Sequence, residues 1–386
     1  MMSNTPANEN INTPKRAVSL DLARGAMLLL IAIAHAPLYL YNNIPSIMFK
    51  VEGVTFFDQL VNVLGLLAID NRARPMFAVL FGYGLVLIFN SQLKKGKREV
   101  DAVKIIRRRS WCLFVFGMVH SIFIGGQDIL MAYGVAGLIV SRLVARDNKT
   151  LIRNIVLMTL LYVLIIPVLW GVLGGFAPHP GFSANDTYLD IAITNLIIFP
   201  LNPLSTHILF PILPSVMLGM WMARYQLLTK PEQHIKKLVY ISTIGLTVSL
   251  IGALPVSLIG NLWTPGVHIA GFFSGVQILS GIAGGAAYAA IFGVIGAKMI
   301  KLGKITFALV ALGKRSLTFY IWNETLLVIF LSPVAFNLGG HVSNGAAALI
   351  ALFIWISSVL MATILEINKI NGPLERLLHR FVYKNN

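Results

Sequence analysis

Cysteine is almost missing from this chain, and acidic side chains are scarce. The single cysteine, Cys112, permits no intramolecular disulfide and no cysteine-based metal site. There are 15 Asp and Glu against 31 Lys and Arg, yet charged residues make up only 12% of the sequence. No loop is long enough for a soluble catalytic domain. Convincing internal repeats are lacking too: the pairs Phe81-Gly82 and Phe116-Gly117 have none of the longer self-similarity that inverted-repeat transporters often show. No cleaved leader is evident. Residues 1–17 are polar and Asn-rich, expected to form a disordered cytoplasmic tail. The apolar stretch after them is too long for a signal segment, and the cleavage-like Ala32-Ile33-Ala34 lies in its middle.

What is abundant is apolar sequence, with 56% hydrophobic residues and a mean hydropathy of +0.77. A span needs about 20 apolar residues to cross roughly 30 Å of hydrocarbon. At that length the sequence reads as an all-α, polytopic membrane helix bundle of about ten spans. These are 18–41, 57–92, 110–125, 127–143, 151–176, 205–223, 238–260, 269–299, 316–333 and 345–366, making 18–384 one integral membrane domain. With the N-terminus placed inside, 27 of the 31 Lys and Arg fall in cytoplasmic segments, Lys50 alone lies outside, and Arg24, Arg72 and Arg74 lie within spans. The positive-inside rule therefore predicts a multi-pass protein of the cell (inner or plasma) membrane with both termini cytoplasmic. The same distribution accounts for the formal charge of +16: the basic loops hold orientation and meet anionic lipid headgroups, so lipids are expected partners and nucleic acid is not. The largest outside segment, 177–204, is expected to carry an interfacial helix near 186–199.

Ionisable groups at membrane depth carry the chemistry, because a charge there costs at least ~2.5–3.5 kcal/mol unless it is paired, hydrated or functional. The first span holds Asp21, Arg24 and His35. His35 follows Asp21 by nearly four turns, or about 21 Å, which returns it to the same face near the outer half of the bilayer. The second span is interrupted by Asp70-Asn71-Arg72-Ala73-Arg74-Pro75, where the proline predicts a break. Such a break is tolerated where it lines a cavity, and it brings Arg74 to about the level of His35. His120, Asp128 and Glu324 with Asn323 complete the set. An outward polar chamber lined by His35, His120, Arg72, Arg74, Asp128 and Glu324 follows. In it an imidazole serves as general base or nucleophile, a carboxylate orients it, and the arginines hold an anionic or carbonyl group.

Each residue also has a structural reading. His35 and His120 can be helix–helix hydrogen-bonding groups, and Asp21–Arg24 an ion pair at the cytoplasmic edge. Asp128 can simply cap the span that starts beside it. The glycine-rich run 281–285 reads as close helix packing rather than a phosphate loop. The basic run 94–109 reads as a loop that sets orientation, with attraction for a polyanionic donor as the other reading.

The run Lys15-Arg16, Ser19-Leu20-Asp21-Leu22-Ala23-Arg24-Gly25 followed by His35 resembles the opening of transmembrane acyltransferases. More specifically, the chain resembles the YeiB-like family, the domain of unknown function 418. That likeness rests on Arg74-Pro75-Met76-Phe77, Leu80 to Leu85, Arg107-Arg108, Phe116-Gly117, His120, Gln127 to Leu130 and Tyr133. It continues in Leu312 to Tyr320 and Gly372-Pro373-Leu374-Glu375 with Arg380 and Tyr383, so it runs from about 15 to 384. Distant kinship to acyltransferases such as heparan-α-glucosaminide N-acetyltransferase implies a cytoplasmic acyl-CoA donating through the membrane to a small-molecule or envelope acceptor, with a membrane histidine carrying the chemistry. Carried over, the resemblance makes His35 the catalytic candidate; the chamber chemistry above adds Asp128 and His120. Arg72, Arg74, Arg24 and Glu324 become substrate-binding candidates, with Arg24 on the donor phosphates. Acyl-CoA is then a co-substrate, and neither a bound cofactor nor a metal is expected. No CoA-binding motif is readable, and fold kinship is an analogy for function. A transporter or lipid flippase using the same chamber, and a non-catalytic partner protein, are the competing classes.

Overall fold

The computed structural model describes residues 18–41, 46–174, 182–299 and 303–383, so the expected tail at 1–17 lies outside the described residues. Among them, regular structure is helical apart from isolated bridges, one between Ile259 and Trp263 and another at Val51. The first half contains α1 (Val18–His35), α2 (Phe56–Leu64), α3 (Ala73–Lys94), α4 (Glu99–Ile124), α5 (Leu130–Val140), α6 (Asn148–Leu173), α7 (Tyr188–Ile198) and α8 (Asn202–Leu209). The second contains α9 (Ile212–Arg224), α10 (Ile235–Leu258), α11 (Val267–Lys298), α12 (Lys304–Lys314), α13 (Ser316–Leu331), α14 (Asn344–Ile367) and α15 (Pro373–Tyr383).

Among the described residues, six helical stretches are long and apolar enough to cross a membrane, or seven if the bent pair α7–α8 is one span. That is fewer than the ten expected, and the differences have local causes. In α4 the basic run up to Arg109 is part of the same helix as the apolar stretch 110–125, so the charges dilute its hydropathy. The expected span 205–223 is cut at Phe210-Pro211 into α8 and α9. The helices α5, α9 and α13 are apolar but only 11, 13 and 16 residues long, short of a full crossing. The helix expected near 186–199 is present as α7, started by a capping box in which Thr187 and Asp190 satisfy each other's backbone N–H groups.

The break in the second span is where the proline placed it. After α2 the chain makes a wide turn over Gly65–Ile69, Asn71 adopts a left-handed backbone (φ 58°), and α3 starts afresh at Ala73. Pro75 sits in the first turn of α3, where its missing N–H costs nothing. The break is held by α11: Gln277 Nε2 donates to the carbonyls of Leu66 (3.0 Å) and Asp70 (3.3 Å), and Tyr288 donates to that of Ala68 (2.6 Å). Close approach requires a stripe without side chains. A Cβ on Gly281 would overlap the Asn71 carbonyl, and one on Gly285 would press on the backbone of Pro75 and Met76. The glycine-rich run is therefore a packing surface.

Hydrogen bonds sort the turns into two ends. Arg224 bonds Asn148 (2.8 Å) and the Leu143 carbonyl (2.9 Å), Tyr83 meets Thr229 (3.0 Å), and Arg315 meets Glu366 (2.8 Å) and the Ile370 carbonyl. These basic turns lie at the end where α1 begins. At the other end, Gln127 reaches Tyr39, Asn344 reaches Val51, and Trp170 reaches Leu209.

Candidate functional site

A cavity of about 710 Å³ opens among the elements at the far end of α1. Its wall includes His35, Lys50, Asp70, Asn71, Arg74, Ser121, Gln127 and Asp128, interleaved with apolar groups such as Ile31, Phe49 and Phe210.

His35 is the last residue of α1 because Pro37 follows and cannot continue the ladder. A short 3-10 turn then brings Tyr39 round to the same neighbour. That neighbour is Glu324, on α13 and fully buried. His35 Nδ1 lies 2.7 Å from Glu324 Oε1, and the Tyr39 hydroxyl donates to Oε2 at 3.1 Å. With Glu324 as the carboxylate, the imidazole presents Nδ1–H to it, and Nε2 is the ring nitrogen left for the cavity. Tyr39 in turn accepts from the Gln127 backbone N–H at 2.8 Å. Tyr320, one turn before Glu324, donates to the Gln127 carbonyl (3.0 Å) and accepts from Ile129 N–H (3.1 Å). The loop between α4 and α5 is thereby stitched to the dyad.

Of the six residues expected to line the chamber, His35, Arg74 and Asp128 do. The carboxylate that orients His35 is Glu324, not Asp128, and Glu324 stands behind the histidine rather than on the cavity wall. Asp128 lines the cavity, yet its Oδ2 accepts from Met131 N–H (2.8 Å) in the first turn of α5, the capping role. Its Oδ1 faces His120 Nδ1 at 3.6 Å, beyond hydrogen-bond length. His120 is buried outside the lining, and both of its ring nitrogens lack hydrogen-bond partners among the described residues.

The two arginines of the break separate. Arg74 lines the cavity with His35, its guanidinium 3.8 Å over the Phe210 ring. Arg72 points the other way. It is fully buried and makes four hydrogen bonds, from Nε to Ser249 Oγ (2.9 Å), from Nη2 to Ser249 O (2.7 Å) and Ser280 Oγ (3.2 Å), and from Nη1 to Asp70 O (2.9 Å). It clamps the break to α10 and α11 and does not line the chamber, contrary to expectation. Arg24 pairs with Asp21 at 3.4 Å, eleven residues and about 16 Å of helix before His35, at the opposite end of α1.

Two lining or supporting residues, Lys50 and Tyr39, escaped sequence reasoning. Lys50 is buried and forms an ion pair with Asp70, Nζ to Oδ2 3.0 Å. Its signal was available: it is the lone cation predicted outside. Tyr39, at i+4 from His35, carried no separate signal. The roof is α7–α8, bent by 66°, with Thr194, Asn195, Asn202, Ser205 and Thr206 toward the cavity and Leu189, Ile193, Ile197 and Leu204 exposed on the outside. The exposed apolar outer face fits a roof resting against hydrocarbon, while the cavity side mixes these polar groups with Ile191, Ile198 and Leu209. Among the described residues no group of three or more His, Cys, Asp or Glu could hold a metal ion.

Comparison with known proteins adds a family. Residues 222–385 match the family model described as protein of unknown function (DUF418). Uncharacterized protein YxaH of Bacillus subtilis (strain 168) is 32% identical over 94 residues, which is 24% of this chain and 23% of that protein's length. The family match includes Glu324 and Arg315 but stops short of His35, Lys50 and Arg74.

Proposed function

From the chemistry of the cavity and the likeness of the first span to transmembrane acyltransferases, we propose that the chain is a transmembrane acyltransferase. It moves an acyl group from a cytoplasmic acyl-CoA-type thioester to a hydroxyl or amine of an envelope or small-molecule acceptor. The observation that carries this reading is the His35–Glu324 contact of 2.7 Å on the wall of a cavity large enough for a small substrate. Nε2 removes the acceptor's proton as its oxygen or nitrogen attacks the thioester carbonyl. The imidazolium, stabilised by Glu324, then returns that proton to the departing thiolate as the C–S bond breaks, so the products are an ester or amide and a free thiol. Arg74 faces the acceptor or the developing oxyanion. Arg24, with its place at the other end of α1, is assigned to the donor phosphates, and Arg72 and the His120–Asp128 pair support the walls. The protein sits in the cell membrane with both termini cytoplasmic and lipids around it.

The test is incubation of membranes containing the full chain with radiolabelled acetyl-CoA and a membrane extract, following label into lipid and water-soluble fractions. Label transfer by the wild type, lost in His35→Gln and Glu324→Gln at equal membrane abundance, supports the reading. Equal transfer by both variants would sink it. Transport is the second reading, favoured by one feature: a helix that starts at a break beside a cavity is how many transporters bind anions. Uptake of a labelled solute into vesicles that survives His35→Gln would favour it.

A further inference from the structure

The cavity has a cationic end that the proton-transfer chemistry leaves unused. Arg74 Nε and Nη1 are buried and have no hydrogen-bond partner among the described residues. Its one neighbour of note is the face of Phe210. A guanidinium brought into low dielectric without an acceptor is costly, and nothing about the packing of α3 requires an arginine here. Lys50 lies on the same cavity in an ion pair with Asp70, and among the described residues no carboxylate lies within ion-pair distance of Arg74, the nearest field of that sign being Asp70's. The first turn of α3 adds to the cationic end. Ala73 and Arg74 present N–H groups with no acceptor inside their own helix, and Pro75 has none to present. A helix start with that dipole favours an anion. On the roof, Thr194, Asn195, Asn202, Ser205 and Thr206 offer neutral donors and acceptors suited to hydroxyl groups, with the carboxylates Asp186 and Asp190 at its start as further acceptors for hydroxyls.

We propose that Arg74, Lys50 and the N-terminus of α3 form an anion subsite for the phosphate of a hydroxyl-bearing, phosphorylated substrate. The inference rests on the acyl-transfer reading only where it makes this molecule the acceptor; binding of the phosphate does not depend on transfer. Lys50 joins the phosphate when it swings from Asp70, and a roof hydroxyl contact turns the substrate's free hydroxyl toward His35. The phosphate can belong to a soluble polyol phosphate or to a glycerophospholipid headgroup reached past the roof.

The experiment uses the full chain purified in detergent and isothermal titration with glycerol 3-phosphate, glycerate and glycerol. Parallel binding to nanodiscs of phosphatidylglycerol or phosphatidylcholine covers the lipid source. Glycerol 3-phosphate is expected to bind more tightly than glycerate, and glycerol not measurably. Arg74→Gln should weaken binding about tenfold or more, from loss of charged hydrogen bonds. The double variant Lys50→Met/Asp70→Asn, which leaves no unpaired carboxylate, should weaken it several-fold. If only phosphatidylglycerol binds, with the same dependence on Arg74, the phosphate comes from a lipid headgroup. Anion binding that Arg74→Gln leaves unchanged in a folded, monodisperse sample overturns the subsite, as does glycerate binding at least as tightly as the phosphate or no binding in either arm. Arg74-dependent binding beside acyl transfer that survives His35→Gln leaves the subsite standing and removes the transfer reading alone.

Discussion

A histidine whose Nδ1 is engaged by a buried carboxylate has one nitrogen left for chemistry, and its neighbours decide how good a base that nitrogen is. Replacing His35 by Gln keeps an amide able to bond Glu324 but cannot take up a proton at neutral pH. If His35 is the base, acyl transfer should fall by about 10²–10⁴-fold, while membrane insertion and the thermal midpoint stay close to wild type. Full activity in that variant would make His35 a packing residue. Glu324→Gln should also lose transfer, since the neutral amide does not stabilise the imidazolium. Tyr39→Phe removes one of the two donors to Glu324 and should cost only several-fold, about the worth of one hydrogen bond of roughly 1 kcal/mol. The graded series of the three, measured as initial rates at equal protein, separates an acting dyad from a structural one.

At the scale of the element, the broken second span depends on partners supplied by α10 and α11. Arg72→Ala would abandon the Ser249 and Asp70 carbonyls and the two serine hydroxyls that the guanidinium now serves. The expected loss is on the order of 3 kcal/mol, read as a lower melting temperature in detergent. Arg72→Lys should recover little of it, because one ammonium cannot span acceptors on two helices. An unchanged melting temperature for the alanine variant would remove the clamp. Gly281→Val acts on the same contact from the other side, forcing the Asn71 carbonyl away. It should destabilise by about 1–3 kcal/mol and shift the α3 start that carries Arg74.

For the whole molecule, the hydrogen-bonded gathering of the basic turns at the end where α1 begins gives the charge argument a spatial form. A reporter fused after Asn386 or inserted near Gly96 should be cytoplasmic, and one near Asn185 should be external. Finding Asn185 on the cytoplasmic side would invert the molecule and put the cavity, with its dyad, on the wrong face for an envelope acceptor. The basic turns would then face outward, against the positive-inside rule.

Hydropathy and the one-sided placement of Lys and Arg were enough to read an all-helical, multi-pass architecture, because they reflect what a bilayer demands of any chain crossing it. The break at Asn71–Pro75 was legible for an equally local reason: a proline's ring acts on its immediate neighbours. Span number was not. Charge inside α4 and the kink at Phe210-Pro211 are short-range features whose effect on length only shows once helices are formed. The residues of the site were mostly recognisable, since buried ionisable groups are rare, but their partnerships were decided by tertiary structure. Glu324 meets His35 across 289 positions, and no periodicity along α13 reports which helix it faces. Arg72 and Arg74, two residues apart, point to opposite surroundings because α3 begins between them, on an axis set by the glycine stripe of α11. Sequence determined which groups would be costly to bury; packing determined which of them found a partner and which, like Arg74, were left facing the cavity.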